Sequence, residues 1–124
     1  MSTRSIIRII DKNGTNDLFH HYDGYPSGVG AQLMYYVYPL IQRRNCYGWK
    51  DIFTILNKFD DDYRIATGVH PDIEFMYIIN LKTKQIECFG GHYREDGEHG
   101  YKWETYKVID LKQFLPINQK VKYR

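Results

Sequence analysis

The hydrophobic pattern changes period abruptly across the eight residues His21-Tyr22-Asp23-Gly24-Tyr25-Pro26-Ser27-Gly28. Upstream, Arg4 to Ile10 is dense in isoleucine, a β-branched residue that favours strands. Alternation there puts Ile7 and Ile9 on one face and Ile6, Arg8 and Ile10 on the other. Downstream, Val29, Leu33, Met34, Val37, Leu40 and Ile41 recur at helical spacing. A strand must therefore become a helix within a few residues, which leaves little freedom in how the two elements meet. Gly24 permits a backbone conformation that other residues resist, and Pro26 presets φ for a helix's first turn.

The remaining elements follow from similar signals. Asn13-Gly14 marks a turn, so a second strand, Leu18 to Tyr22, is expected to pair back as a hairpin. Pro39 has no N–H for the preceding turn and is expected to kink or end the first helix. A second helix is predicted from about Trp49 to Phe59, with Trp49, Ile52, Phe53, Leu56 and Phe59 on one face. Asp60, Asp61 and Asp62 break it and read as a solvated helix end. From Asp72 to Leu81, Ile73, Phe75, Tyr77, Ile79 and Leu81 share one face and Met76 and Ile78 the other, the mark of a central strand. Lys82-Thr83-Lys84 turns the chain into a strand from Gln85 to Phe89. A last strand, about Tyr101 to Ile109, alternates Trp103, Thr105 and Lys107 against Glu104, Tyr106 and Val108. Gly90 to Gly100 between them reads as a long loop. Asp110 is suited to cap a short final helix through Phe114, which Pro116 ends. The order β-β-α-α-β-β-β predicts an α+β fold, one domain over residues 1–124. Its sheet is antiparallel or mixed, with two helices packed on one face.

Composition narrows the function classes. The 124 residues are 43% apolar and 26% charged, enough for a core without disulfide staples. Seventeen basic against 15 acidic residues leave a net charge of +2, too weak a bias for non-specific binding of nucleic acid. Arg4, Arg8, Lys12, Arg43, Arg44, Lys120, Lys122 and Arg124 are moreover scattered among acids, so nucleic acid is not an expected partner. No apolar run reaches membrane-spanning length and no signal-peptide pattern follows Met1, so the expectation is a cytoplasmic protein. Cys46 and Cys88 lack a Cys-x-x-Cys pairing and are expected to be buried, reduced thiols. The 12 tyrosines outnumber the 6 Phe and 2 Trp together. Tyr22 and Tyr25 bracket the junction, and Tyr35, Tyr36 and Tyr38 follow on the helix it opens.

The junction carries the most chemistry. A helix N-terminus opened by Ser27 and Gly28 is a natural anion site, because free N–H groups and the dipole both favour negative charge. Tyr22 and Tyr25 offer ring faces for a base, and His20 or His21 a contact to phosphate. The expected ligand is a nucleotide-like or phosphorylated small molecule, held by His21, Tyr22, Asp23, Gly24, Tyr25, Ser27 and Gly28. Arg94 in the long loop would clamp a phosphate as that loop closes. The same residues also suit an ordinary tight turn, with Asp23 capping it and Tyr25 in the core. No Walker or dinucleotide fingerprint is present.

The string His-x-Asp-Gly-Tyr-Pro-Ser-Gly, from His21 to Gly28, resembles a signature of small, largely uncharacterised proteins of bacteria, archaea and their viruses. That resemblance implies a shared junction. In a phage it would suit a protein that sequesters a host signalling nucleotide, an anti-defence role needing binding and no turnover.

Two other function classes remain open. A protein-binding inhibitor or adaptor would use the tyrosine-rich surface, and Tyr35, Tyr36 and Tyr38 would equally serve a homo-oligomer. A small hydrolase would use His21 and Asp23, two apart and so on one strand face, with Ser27 the only nearby nucleophile. Neither Gly-x-Ser-x-Gly nor a His-x-x-x-His pair occurs. The dispersed His70, His92 and His99, with Asp72 and Asp96, make a poor metal set. No catalytic residue, metal or cofactor is assigned.

Overall fold

The computed structural model describes residues 3–43, 48–68, 70–95 and 100–115. The isoleucine-rich segment forms β1 (Ser5–Asp11), which turns at Lys12-Asn13 into β2 (Gly14–His20). Asp11, 2% exposed, closes this hairpin. Its Oδ1 accepts from the Asn13 N–H at 2.9 Å, and its Oδ2 from the Trp49 N–H at 3.1 Å. One buried carboxylate thus fixes the hairpin turn and the N-terminus of the second helix, where negative charge is favoured.

The sheet has six strands in the order β3-β2-β1-β4-β5-β6. β3 is Tyr63–Ile65, β4 Phe75–Asn80, β5 Gln85–Glu95 and β6 Tyr101–Ile109. β1 and β4 run parallel and every other neighbouring pair is antiparallel, so the fold is α+β with a mixed sheet. Helices cover one face. Val29, Leu33, Met34, Val37, Ile41, Ile52 and Leu56 pack there on Ile7, Ile9, Leu18, Tyr77, Ile79 and Cys88. The other face buries Ile6, Ile73 and Met76 under Phe19, Ala66, Ile78, Tyr93 and Trp103.

The helical layer departs from expectation at Pro39. Residues 26–43 form one continuous helical run, comprising Pro26–Gly30, Leu33–Val37 and α1 (Tyr38–Arg43). Just before the proline the turn widens, and the Tyr38 N–H donates to the carbonyl of Leu33, five residues back. A widened turn makes room where a proline ring would strike the carbonyl four residues earlier, so the helix passes Pro39 intact. The second helix, α2 (Trp49–Phe59), matches its predicted span.

Several boundaries also move. β2 starts earlier than Leu18 and ends at His20 rather than Tyr22. β3, three residues long, escaped the pattern altogether because so short a segment shows no period. β4 starts at Phe75, and Ile73 turns away from Phe75 and Tyr77 to the other face. The expected loop from Gly90 is largely strand, because β5 runs on to Glu95. A bulge at Gly90/Gly91 against β6 breaks the alternation. A Cβ at Gly91 would collide with the Glu104 carbonyl oxygen, so the bulge needs glycine. The final helix is a single 3-10 turn, Leu111–Phe114, with Asp110 Oδ1 accepting from the Lys112 N–H at 2.9 Å. Cys46, Arg44, Asp96, His99, Pro116, Lys120, Lys122 and Arg124 lie outside the described residues. Among the described residues no helix is long and apolar enough to cross a membrane.

Candidate functional site

Strand alternation separates the two adjacent histidines. His20 ends β2 facing the helices and is 1% exposed; His21 points to the opposite face. His20 Nε2 lies 2.7 Å from Asp60 Oδ2, while Nδ1 lies 3.4 Å from Asp62 Oδ2 without the alignment of a hydrogen bond. Asp60 Oδ2 also accepts from Gln32 Nε2 at 3.3 Å, and its Oδ1 from the Asp62 N–H at 3.0 Å. The Tyr63 hydroxyl, buried beside the His20 ring, donates to Gln32 Oε1 at 2.8 Å. Asp62 then reaches the surface, its Oδ2 accepting from the N–H groups of His21 and Tyr22 at 2.9 and 2.8 Å. A polar network rooted in the core therefore holds the start of the junction loop. Among the described residues no metal-binding group of three His, Cys, Asp or Glu occurs.

A second set of bonds holds the loop from the other side. The Gly24 N–H donates to the Thr3 carbonyl at 2.8 Å, and the buried Tyr77 hydroxyl donates to the Gly24 carbonyl at 2.7 Å. Asp23 takes φ 52°, an uncommon left-handed conformation for a residue with a side chain. Its carbonyl accepts from the Val29 N–H at 2.9 Å, and the Tyr25 carbonyl accepts from the Gly28 N–H at 2.9 Å. Tyr25 closes the turn by donating its hydroxyl to Asp23 Oδ1 at 3.0 Å, which raises its phenol pKa.

These bonds redistribute the roles expected of the junction. The amides of Gly28 and Val29 serve the turn, and Pro26 has none, so most of the helix's first N–H groups do not face a ligand. Gly28 is small because it packs on the Asp23 backbone. His21 and Asp23 share no strand face, since the strand ends at His20 and Asp23 is left-handed. His21 Nδ1 instead accepts from Arg4 Nε at 3.2 Å, and Arg4 also pairs with Asp72 at 3.1 Å. Arg94 lies on β5, paired at 3.0 Å with Glu104 in a cleft lined by hairpin residues, none from the junction. What the junction shows to solvent is Tyr22, 57% exposed, Tyr25, Asp23 and Ser27, with His21 half-buried beside them. The Tyr22 ring stands edge-on to His21 at 4.4 Å.

The helix tyrosines do not form one flat patch. Tyr35 is exposed, Tyr36 stacks on Phe59 at 3.8 Å, and Tyr38 packs against the core. Cys88 is a buried thiol whose pKa burial pushes up to about 12, an unreactive setting. His92 bonds the Tyr106 hydroxyl at 2.9 Å on the β5–β6 hairpin, and His70 stacks at 4.3 Å on Phe19, whose ring lies 6.1 Å from that of His21.

Asp60, Asp62, Gln32 and Tyr63 escaped the sequence reading, which left the acids as a solvated helix end. The available signal was Tyr63-Arg64-Ile65, directly after the acids. Taken as a strand beside β2, it places Asp60 and Asp62 at the end of β2. No family model, no curated protein and no solved structure matches the chain.

The network carries a pH prediction. Burial pushes the Asp60 carboxyl up, but the Asp62 N–H, His20 and Gln32 together hold it below its ordinary value. A carboxyl lowered by folding adds stability above its unfolded pKa of about 3.9, lost as pH falls through the lowered value. Denaturant midpoints measured from neutral pH downward should therefore fall in that acid range, and Asp60→Asn should flatten the descent.

Proposed function

We propose that the chain binds a nucleotide-like or phosphorylated small ligand on the outer face of the junction, through side chains rather than backbone amides. The carrying observation is that exposed Tyr22 and Tyr25 sit on a backbone fixed at both ends, by Asp62 and by Gly24. Rings held in place before a ligand arrives lose little entropy on binding. A base stacked on one such ring contributes about 1–3 kcal/mol. His21, Arg4 and Ser27 are the phosphate-facing groups of this reading, and Asp23 suits a sugar hydroxyl. Arg94 belongs to the hairpin and takes no part.

Binding without turnover fits better than hydrolysis. Among the described residues, the histidine with carboxylate partners, His20, is closed off from any dissolved substrate at 1% exposure. A sequestering, anti-defence role is compatible with that reading and rests on the resemblance of the junction string.

The test is a thermal-shift panel of linear and cyclic mono-, di- and oligonucleotides and sugar phosphates. A ligand at a hundredfold excess over Kd adds about 2.7 kcal/mol, a rise of several degrees in Tm. Tyr22→Ala should abolish that rise while leaving the unliganded Tm nearly unchanged. A panel in which nothing moves Tm sinks the proposal.

A further inference from the structure

The two edges of the sheet are unlike. β3, at one end, offers three residues; β6, at the other, offers nine, and among the described residues its only strand neighbour is β5. A long unpaired edge exposes a row of backbone donors and acceptors ready to accept another strand. Tyr101, Tyr106 and Val108 on it are exposed at 46%, 64% and 70%.

Two basic side chains face each other on the β5–β6 ladder. Lys102 sits directly opposite Arg94 across the β5–β6 ladder, and like charges so placed repel. Glu104, two residues on and on the same face, is bound to Arg94 at 3.0 Å. Among the described residues no carboxylate pairs with Lys102. The segment Lys102-Trp103-Glu104 is self-complementary when read against itself in reverse, with Lys facing Glu, Trp facing Trp and Glu facing Lys.

We infer that β6 pairs antiparallel with β6 of a second copy about a two-fold axis at Trp103. This inference is independent of the ligand reading. In that register Lys102 of each chain faces Glu104 of the other, and Tyr101 faces Thr105. Residues that face each other across such a pair lie on the same side of the sheet, so both ion pairs form on one face. Each Glu104 then bridges its own Arg94 and the second chain's Lys102, offsetting the repulsion between Arg94 and Lys102. The two sheets join into one of twelve strands, and residues 101–105 of each exposed edge are covered. An interface made by one short strand pair is small, so the dimer is concentration-dependent.

Sedimentation velocity across a wide concentration range tests this. The wild-type chain should shift from monomer to dimer as concentration rises; a monomer at every concentration overturns the inference. Lys102→Glu places two acids opposite each other and Glu104→Lys two bases, so each variant alone should stay monomeric. Mixed together they should form a heterodimer, because every facing pair is again opposite in charge. Single variants that dimerise as well as wild type, or a mixture that stays monomeric, overturn the register. Trp103→Cys adds a check that does not depend on charge. Cα atoms facing across an antiparallel pair lie about 4.5–5.5 Å apart, within disulfide reach. Mild oxidation should link this variant, carried on a Cys46→Ser chain, into dimers while leaving the Cys46→Ser chain alone unlinked, and its failure to link also counts against the axis at Trp103.

Discussion

Gly28→Ala is expected to lower the stability of the protein by about 3 kcal/mol, a drop in Tm on the order of 10 °C. The added Cβ would run into the carbonyl oxygen of Asp23, and this neighbour is backbone that no rotamer change can move. That oxygen also accepts the Val29 N–H at 2.9 Å. Relieving the collision therefore breaks the bond that joins the left-handed turn to the helix. Asp23 cannot retreat easily, because the next residue, Gly24, is tied to Thr3 through its N–H and to Tyr77 through its carbonyl. Ser27→Ala, one residue away and exposed, should change Tm by no more than about 1 °C, since it forms no contact of this kind. Thermal denaturation followed by circular dichroism separates the two. A Gly28→Ala protein that melts with wild type would show that the turn is free to shift. The same pair bears on function: were Gly28 small only to admit a ligand, its substitution would weaken binding and leave Tm unchanged.

The contrast between Gly28 and its surroundings shows where sequence reasoning reaches. The junction was legible as a strand-to-helix turn because Gly24, Pro26 and the change of period are local signals. The faces of β1 and most of β4 were legible because alternation is local too. Three features were not, for different physical reasons. The helix passes Pro39 because the chain widens one turn, a choice between two hydrogen-bonding patterns that neighbouring residues do not announce. Gly90 and Gly91 look like loop residues, yet they lie within β5, where a bulge needs a position without a side chain. Asp60 and Asp62 follow a helix, and nothing near them in sequence indicates that the partners of their carboxylates lie at residues 20–22. Only the three-residue β3, pairing Tyr63 with His20, brings them there. The junction is thus a local feature of the sequence, while the groups that brace it come from 40 residues away.

That separation is what makes the brace testable apart from the ligand. Asp60→Ala is expected to destabilise the fold by about 2–4 kcal/mol, since it leaves the His20 ring, buried at 1% exposure, without an acceptor. His20→Ala should cost a comparable amount through the cavity and the loss of the Asp60 contact. The two losses share one interaction, so the double variant should be scarcely less stable than the worse single variant. Additive losses in a denaturant-unfolding cycle would show that His20 and Asp60 merely lie close together. Asp62→Ala acts one step nearer the surface, removing the acceptor for the His21 and Tyr22 N–H groups while Asp60 still holds His20. Amide hydrogen exchange should then accelerate at residues 21 and 22 and stay slow at Gly24 and Val29, whose acceptors are untouched. A loop loosened in this way keeps every side chain of the proposed binding face and loses only their fixed arrangement. Ligand affinity should fall in Asp62→Ala although no ligand-facing group has changed. Affinity equal to wild type, with exchange at residues 21 and 22 accelerated, would mean that the rings find their ligand without the brace. The buried network would then serve the fold alone.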